Sequence, residues 1–200
     1  MNVQEATTRR LPDLKERHLP ENCRETINTI LKETYGYEQF RNLEIYDDLS
    51  KGKEKLCISQ GQLIENVILE VEKAWKGETQ VDNILLTAPT GSGKSLLFQL
   101  PAIYLGKEYN LLTIVVSPLK ALIVDQVESL QELGYTRVAY ASSDLSPEQK
   151  MEVYRQVREG EIDLFYLSPE LLLSYDIKHF VGERRIGLVV VDEAHTGPTW

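Results

Sequence analysis

Apolar residues in this chain form either short uninterrupted runs or longer stretches in which they recur every three to four positions. The recurring pattern is typical of helices and predicts them over residues 21–34, 60–75, 96–105, 119–133 and 146–159. The uninterrupted runs predict five strands, at residues 84–86, 111–116, 137–141, 163–167 and 186–191. Strands apolar on both faces that alternate with helices indicate an α/β fold with a doubly wound parallel sheet. The last run, residues 186–191, has the composition of a central strand.

Two segments fall outside this alternation. Residues 1–19 are polar and charged and are interrupted by proline, which predicts a loosely ordered leading segment. Residues 42–55 are charged and rich in turn-forming residues, and we interpret them as an exposed insertion.

The composition, 42% hydrophobic and 26% charged, is that of a soluble globular protein. Cys23 and Cys57 lack metal-ligand spacing, which predicts two free thiols and a cytoplasmic location. No apolar stretch is long enough for a membrane span, so no membrane partner is expected. The net charge of −9 argues against coating nucleic acid by charge alone. It leaves room for a local track of helix N-termini and backbone amides.

A loop of small residues follows the first apolar run, with the sequence Thr87-Ala88-Pro89-Thr90-Gly91-Ser92-Gly93-Lys94-Ser95. Between a strand and a helix, such a loop turns backbone N–H groups toward a phosphate chain. Lys94 is placed to reach the β- and γ-phosphates, and the Ser95 hydroxyl is placed to hold Mg²⁺. Ala88 stands where the strict pattern begins with glycine. Residues 88–95 therefore predict a nucleotide phosphate site.

An acidic pair follows the last apolar run, in the sequence Asp192-Glu193-Ala194-His195. Asp192 is suited to hold Mg²⁺, and Glu193 to deprotonate the water that attacks the γ-phosphate. Together with Lys94, these carboxylates are the candidate catalytic residues of a nucleotide hydrolase.

The two motifs resemble motifs I and II of a superfamily 2 helicase, and further segments resemble the RecQ family. Residues 117–122, Ser-Pro-Leu-Lys-Ala-Leu, are similar to motif Ia, and Ser168-Pro169-Glu170 is similar to motif Ib. Trp200 stands where the RecQ aromatic-rich loop carries its tryptophan. The resemblance implies a RecA-like P-loop NTPase fold that uses ATP and Mg²⁺, with His195 coupling the ATP site to later motifs. It also implies a track for single-stranded DNA, or for a single/double-strand junction, along Ser117, Pro118, Ser168, Pro169 and Trp200.

Residues 35–41, Tyr-Gly-Tyr-Glu-Gln-Phe-Arg, resemble motif 0 of the family, which clasps adenine through residues such as Tyr35 and Arg41. The family carries a glutamine three residues after the arginine, where this chain has Glu44. A glutamate accepts from the adenine amino group but has no hydrogen to donate to N7. Gln60 starts a helix with apolar residues at +3, +4, +7 and +8, the register that follows the family's glutamine. We therefore interpret residues 42–59 as an insertion that splits motif 0, and Gln60 as the adenine-reading residue.

The domain organisation predicted from this resemblance has three parts. Residues 1–30 are a partly disordered extension, residues 31–82 are a helical adenine-binding region, and residues 83–200 are a first RecA-like domain truncated at its C-terminal end. A second RecA-like domain, which supplies an arginine finger in the family, is expected but absent from this chain. Arg184 and Arg185 are expected as solvated charges at the amino end of the last strand.

The resemblance implies an ATP-dependent DNA helicase or translocase that moves 3′ to 5′, although this chain alone is not expected to unwind DNA. Two other functions stay open at this point. One is an RNA helicase or a double-strand DNA translocase of a defence system. The other is an ATP-binding module without motor activity that docks onto a partner.

Overall fold

The structure is a computed structural model that describes residues 17–46, 55–86 and 91–193. The chain divides into two compact units, residues 1–101 and 102–200. The boundary falls within a helix that contains Pro101. No helix in the described ranges has the length and apolarity needed to cross a membrane.

The first unit contains helices α1 (Glu21–Tyr35) and α2 (Gln60–Trp75), strands β1 (Asn42–Tyr46) and β2 (Lys55–Ser59), and the beginning of α3 (Leu96–Tyr109). Helix α1 ends because Gly36 adopts a left-handed backbone (φ 70°), and its N–H donates to the carbonyl of Lys32. Helix α2 begins at Ser59, whose hydroxyl accepts from the N–H of Gly61.

The predicted insertion includes an antiparallel hairpin. Strands β1 and β2 pair in continuous register from Asn42–Ser59 to Tyr46–Lys55, and residues 47–54 lie outside the described ranges. The residue before β1 and the residue after β2 are therefore held side by side. This closure brings Arg41 opposite Gln60, and the N–H of Gln60 donates to the carbonyl of Arg41 at 2.9 Å.

Residues 17–19, the described part of the leading segment, lie along α2. The N–H of Leu19 donates to Glu65 Oε2 at 3.0 Å, and the Leu19 side chain is buried. Arg17 Nη2 lies 2.7 Å from Glu70 Oε1. Glu70 is buried and also accepts from Lys73 Nζ and from the N–H of Asp82. Glu70 thus joins the leading segment, α2 and the chain that follows α2.

The strand predicted at residues 84–86 is not formed. Residues 81–86 have no regular secondary structure, and the exposed fractions of Ile84 and Leu85 are 48% and 82%. An apolar run becomes a strand only where neighbouring strands pair with it and cover its side chains. Within the described residues this run has no ladder partner.

The second unit is built on a parallel sheet of four strands, β3 (Leu112–Val116), β4 (Val138–Ala141), β5 (Leu164–Leu167) and β6 (Ile186–Val191). Their order is β4-β5-β3-β6, and the register pairs Val116 with both Leu167 and Val191. Helices α4 (Lys120–Glu132) and α5 (Pro147–Arg158) connect successive strands. Two short helices that the sequence pattern did not predict, α6 (Pro169–Ser174) and α7 (Ile177–Val181), precede β6. The predicted α/β class with a parallel sheet is confirmed.

One face of the sheet packs on α5, α6 and α7. Phe165 and Leu167 of β5 join Tyr154 of α5 and Phe180 of α7 in a buried cluster. The ring of Tyr154 meets those of Phe165 and Phe180 edge to face, with centroids 6.4 and 5.2 Å apart. Edge-to-face contacts of this kind favour one arrangement of the cluster over others.

Strand β6 is an edge strand within the described residues, so the expectation that it is central is not met. It pairs with β3 on one side, and the exposed fractions of Val189 and Val191 are 57% and 53%. A run of β-branched residues indicates only that both faces of the strand can be buried. The position of that strand in the sheet depends on which other strands pair with it.

A buried ionic cluster lies at the amino ends of the strands. Asp163, whose side chain is 3% exposed, accepts from Arg137 Nε at 2.6 Å and from Arg184 Nη2 at 2.8 Å. The Arg184 side chain is only 5% exposed, so the expectation of a solvated charge was wrong for this residue; Arg185 is exposed, as expected. Burial and the Asp163 carboxylate raise the pKa of Tyr135, whose hydroxyl also donates to Asp163. Burial of Arg184 depends on the carboxylate of Asp163, the residue before β5.

Candidate nucleotide and nucleic-acid sites

The described part of the phosphate loop, residues 91–95, leads directly into α3. Gly91 and Gly93 adopt left-handed backbones with φ of 79° and 80°. The carbonyl of Lys94 accepts from the N–H of Leu97, and the carbonyl of Ser95 accepts from Gln99 at 2.9 Å. Lys94 and Ser95 therefore sit at the helix N-terminus, where unpaired N–H groups and the helix dipole favour an anion. Ala88, Pro89 and Thr90 lie outside the described residues.

The loop has the features that a bound phosphate chain requires. The positive φ of Gly93 favours glycine there, and a β-carbon would lie 2.6 Å from Gln60 Nε2 and displace the end of that side chain. Ser92 Oγ is buried and is not paired with another group in the described part of the chain. An unpaired buried hydroxyl costs free energy unless a ligand or water binds it. The loop therefore fits a nucleotide phosphate.

Gln60 connects motif 0 to the phosphate loop. Its side chain is almost fully buried: Oε1 accepts from the N–H of Arg41 at 3.1 Å, and Nε2 lies 3.3 and 3.4 Å from the carbonyl oxygens of Ser92 and Gly93. Glu44, the alternative adenine reader, lies within β1 at the ladder position opposite Cys57. The hairpin thus supports the interpretation that residues 42–59 split motif 0.

The aromatic residues of motif 0 have different surroundings. Tyr35 is half-buried, and its hydroxyl lies 3.4 Å from Gln99 Oε1. Tyr37 is 48% exposed, and the Arg41 guanidinium carbon lies 5.8 Å from its ring centroid. Tyr37 therefore fits an adenine contact better than Tyr35 does. The four-residue spacing between Tyr37 and Arg41 was the signal in the sequence, whereas the sequence analysis named Tyr35 and Arg41.

In the second unit, the predicted residues after the strands line one edge of the sheet. The first residue after β3, β5 and β6 still donates its N–H to a carbonyl of the neighbouring strand: Ser117 to Leu167 at 3.1 Å, Ser168 to Ala141 at 3.4 Å and Asp192 to Val116 at 2.9 Å. Ser117 Oγ and Ser168 Oγ are both buried and have no hydrogen-bond partner among the described residues. Pro118 follows Ser117, and Pro169 is the first residue of α6. The carboxyl edge of the sheet therefore gathers motifs Ia, Ib and II.

Motif II begins with a strained backbone. Glu193 has a φ of 52°, which is uncommon for a residue with a side chain. Asp192 Oδ1 accepts from the N–H of Glu193 at 2.9 Å, a bond that helps to hold this turn. Strain of this kind is often found at functional sites. Ala194, His195 and Trp200 lie outside the described residues, so their predicted roles stay predictions.

Comparison with known proteins connects these sites to one family. Residues 62–200 match the family DEAD/DEAH box helicase. The chain is 33% identical to ATP-dependent DNA helicase Q-like 5 of Arabidopsis thaliana over 88% of its own length and 16% of the relative. It is 32% identical to ATP-dependent DNA helicase RecQ of Synechocystis over 88% of its length and 31% of the relative. With RecQ of Bacillus subtilis it shares 37% identity over 59% of the chain and 19% of the relative.

These relatives confirm the resemblance to RecQ helicases that the motifs predicted. The chain spans less than a third of the length of the three relatives. The match to residues 62–200 covers motifs I, Ia, Ib and II. The parallel α/β sheet with a glycine-rich loop before a helix is that of a RecA-like P-loop domain. The chain belongs to the DEAD/DEAH box helicase family.

Proposed function

We propose that this chain is the ATP-binding first domain of a RecQ-type, ATP-dependent DNA helicase that moves 3′ to 5′. The observation that carries the proposal is the contact of Gln60 with both Arg41 and the phosphate loop. Motif 0 and motif I are separate in sequence, but Gln60 contacts both. We therefore infer that the two motifs bind the same ligand, a nucleotide with an adenine base. The printed names of the relatives, which describe ATP-dependent DNA helicases, support the same conclusion.

In this proposal, residues 88–95 bind the phosphates. Lys94 neutralises the β- and γ-phosphates, and backbone N–H groups of the loop donate to them. Ser95 and Asp192 are the residues that would hold Mg²⁺, which supplies further neutralisation of phosphate charge when bound. Glu193 orients and deprotonates the attacking water. His195 couples hydrolysis to later motifs.

Adenine is held by Tyr37 and Arg41, with Tyr35 behind Tyr37 in a stacked pair whose ring centroids are 6.5 Å apart. Gln60 reads the base. Its contacts to the loop carbonyls, at 3.3 and 3.4 Å, are long for N–H···O hydrogen bonds. Such contacts are weak and exchange readily for hydrogen bonds to adenine N6 and N7. Nucleotide binding would therefore release the phosphate loop from Gln60.

Changing Gln60→Ala is expected to weaken ATP binding about thirtyfold and to leave GTP binding almost unchanged, because two hydrogen bonds of about 1 kcal/mol each are lost only with adenine. Titration of each nucleotide by calorimetry measures the ratio. Glu44→Gln is the matched variant, since it restores the family's residue at the family's spacing. An improved ATP:GTP ratio in Glu44→Gln, together with no change in Gln60→Ala, would assign base recognition to residue 44.

The nucleic-acid track runs along Ser117, Pro118, Ser168 and Pro169 at the carboxyl edge of the sheet, and continues to Trp200. Backbone amides and hydroxyls there bind phosphates without reading sequence. An aromatic residue such as Trp200 adds stacking on unpaired bases. The partner is DNA that is single-stranded or lies at a single/double-strand junction, and the whole motor requires a second RecA-like domain.

An oligonucleotide of thymidine is expected to tighten ATP binding to the chain at least about threefold, because the two ligands are coupled in a motor. A uridine ribonucleotide oligomer of equal length should have no such effect. Fluorescence titration of ATP with each oligomer at saturation measures the coupling. Stronger coupling to the ribonucleotide would favour an RNA helicase. An absence of coupling to both would contradict a motor and favour an ATP-binding module.

A further inference from the structure

We infer that the Asp144 carboxylate binds Lys120 at the place where a nucleic-acid phosphate would bind it. A bound DNA strand must therefore displace Asp144 from Lys120. This inference rests on the proposed function, because it concerns the affinity of the same DNA track. It adds the loop after β4, residues 142–146, to a track otherwise built from motifs Ia and Ib.

The contact between Lys120 and Asp144 joins two loops that are not adjacent in the sheet. Lys120 is the first residue of α4, after β3, and Asp144 follows β4. Lys120 Nζ lies 2.9 Å from Asp144 Oδ1 and 2.5 Å from Ser143 Oγ. Strand β5 separates β3 from β4 in the sheet, and Ser168 follows β5. The ion pair therefore joins the two loops on either side of the carboxyl end of β5.

The charges at this point favour an anion. Lys150 Nζ donates to the carbonyl of Ser143 at 3.3 Å, so a second cation faces the same loop. The hydrogen bond from Lys120, with a smaller contribution from Lys150, holds the pKa of Asp144 below its usual range. A carboxylate and a phosphate are both anionic acceptors for a lysine. Asp144 thus fills a site that would accept a phosphate oxygen.

The ion pair is accessible and exchangeable. The side chains of Lys120 and Asp144 are 40% and 68% exposed. Exposed ion pairs contribute little net stability and are screened by salt, so a competing anion can displace the carboxylate. A buried pair at this place would instead be a structural element of the fold.

Two buried hydroxyls at the same edge lack a hydrogen-bond partner among the described residues. Ser117 Oγ and Ser168 Oγ, buried with exposed fractions of 2% and 0% for their residues, have no hydrogen-bond partner among the described residues. Helix α4 begins without a side-chain cap at Leu119. Hydroxyls and uncapped helix N–H groups are the usual partners of nucleic-acid phosphates. The ion pair therefore lies among groups suited to a phosphate chain.

The test is binding of a fluorescein-labelled thymidine oligonucleotide, followed by anisotropy across a range of salt concentrations. Asp144→Asn is expected to raise affinity at least about threefold, since Lys120 is then available to phosphate without competition. Lys120→Met is expected to lower affinity and to reduce the slope of log K against log salt by about 0.7, as for one lost phosphate contact on a single strand. In the double variant the gain from Asp144→Asn should disappear, because the two residues act as one pair.

Glu152→Gln is the matched control, because it makes the same change in net charge on the exposed face of α5, where Glu152 pairs with Arg155. Equal gains in Glu152→Gln and Asp144→Asn, or a gain that persists in the double variant, would overturn the inference in favour of a general charge effect. An unchanged affinity in Asp144→Asn would overturn it as well. A wild-type chain that binds no oligonucleotide at low salt would instead contradict the proposed function. Equal thermal midpoints of all variants verify that folding is unaffected.

Discussion

Lys94→Ala is expected to reduce the affinity for ATP by about a hundredfold or more, since a charge-assisted contact to phosphate in a partly desolvated loop is among the strongest polar interactions a site can make. Lys94 stands between two left-handed glycines and the start of α3, so its side chain begins where the loop and the helix dipole favour an anion. Calorimetric titration with ATP and Mg²⁺ measures the effect directly.

Lys107→Ala is the control for this prediction, because Lys107 is an exposed residue in the last turn of the same helix. Its removal should leave ATP affinity within about twofold, as expected for a screened surface charge. If Lys94→Ala bound ATP as the wild type does, residues 88–95 would not be the phosphate site. The thermal midpoint of Lys94→Ala separates lost binding from lost folding.

Asp163→Asn is expected to lower the free energy of unfolding by about 3 kcal/mol, because removing one partner of a buried ion pair leaves the other charge uncompensated. The substitution keeps the shape of the side chain but leaves Arg137 and Arg184 without their carboxylate. Urea unfolding, followed by circular dichroism, should show a lower midpoint with an unchanged slope.

The control for Asp163 is a second ionic cluster whose side chains are all at least 42% exposed, whereas those of Asp163 and Arg184 are 3% and 5% exposed. Arg155 contacts Glu152, Glu159 and Glu161 on the surface of the second unit, and its side chain is 42% exposed. Arg155→Met should barely move the urea midpoint, since exposed ion pairs are weak. Similar losses in Asp163→Asn and Arg155→Met would show that burial is not what makes the Asp163 cluster important.

Local signals in the sequence predicted the elements whose ends are decided locally. Helix α2 has the bounds expected from its apolar spacing, and β6 has the bounds of its apolar run. Ser146 and Gln149 form the reciprocal capping box that the sequence indicated at the start of α5. For the two helices the determining contacts lie within one or two turns of the chain, whereas β6 also needs the ladder with β3.

Features that depend on distant partners were not predictable in this way. The run at residues 84–86 is as apolar as a strand, yet it has no strand to pair with among the described residues. Arg184 is charged and follows a glycine and a glutamate, but Asp163, which immediately precedes β5, allows its burial. The spacing of apolar residues predicts which side chains of a segment are buried, but it does not predict which segments contact each other.

The candidate sites divide along the same line. The glycines of the phosphate loop and the register of Gln60 could be read from spacing, since both depend on a few consecutive residues. The pair formed by Lys120 and Asp144 could not, because it requires the order of β3, β5 and β4 in the sheet. Tyr37 is an intermediate case: its spacing from Arg41 could be read from the sequence, but its exposure could be learned only from the structure.

If Gln60 completes motif 0 as proposed, the hairpin of β1 and β2 makes that motif discontinuous in sequence and continuous in space. Because the ladder places Arg41 beside Gln60, the separation of the two residues along the chain no longer determines their distance. The closed ends also keep the entropic cost of a longer or shorter connection small. Searches that require a fixed gap between the arginine and the glutamine will therefore overlook adenine sites of this construction, and a search for a strand pair between them will recover such sites.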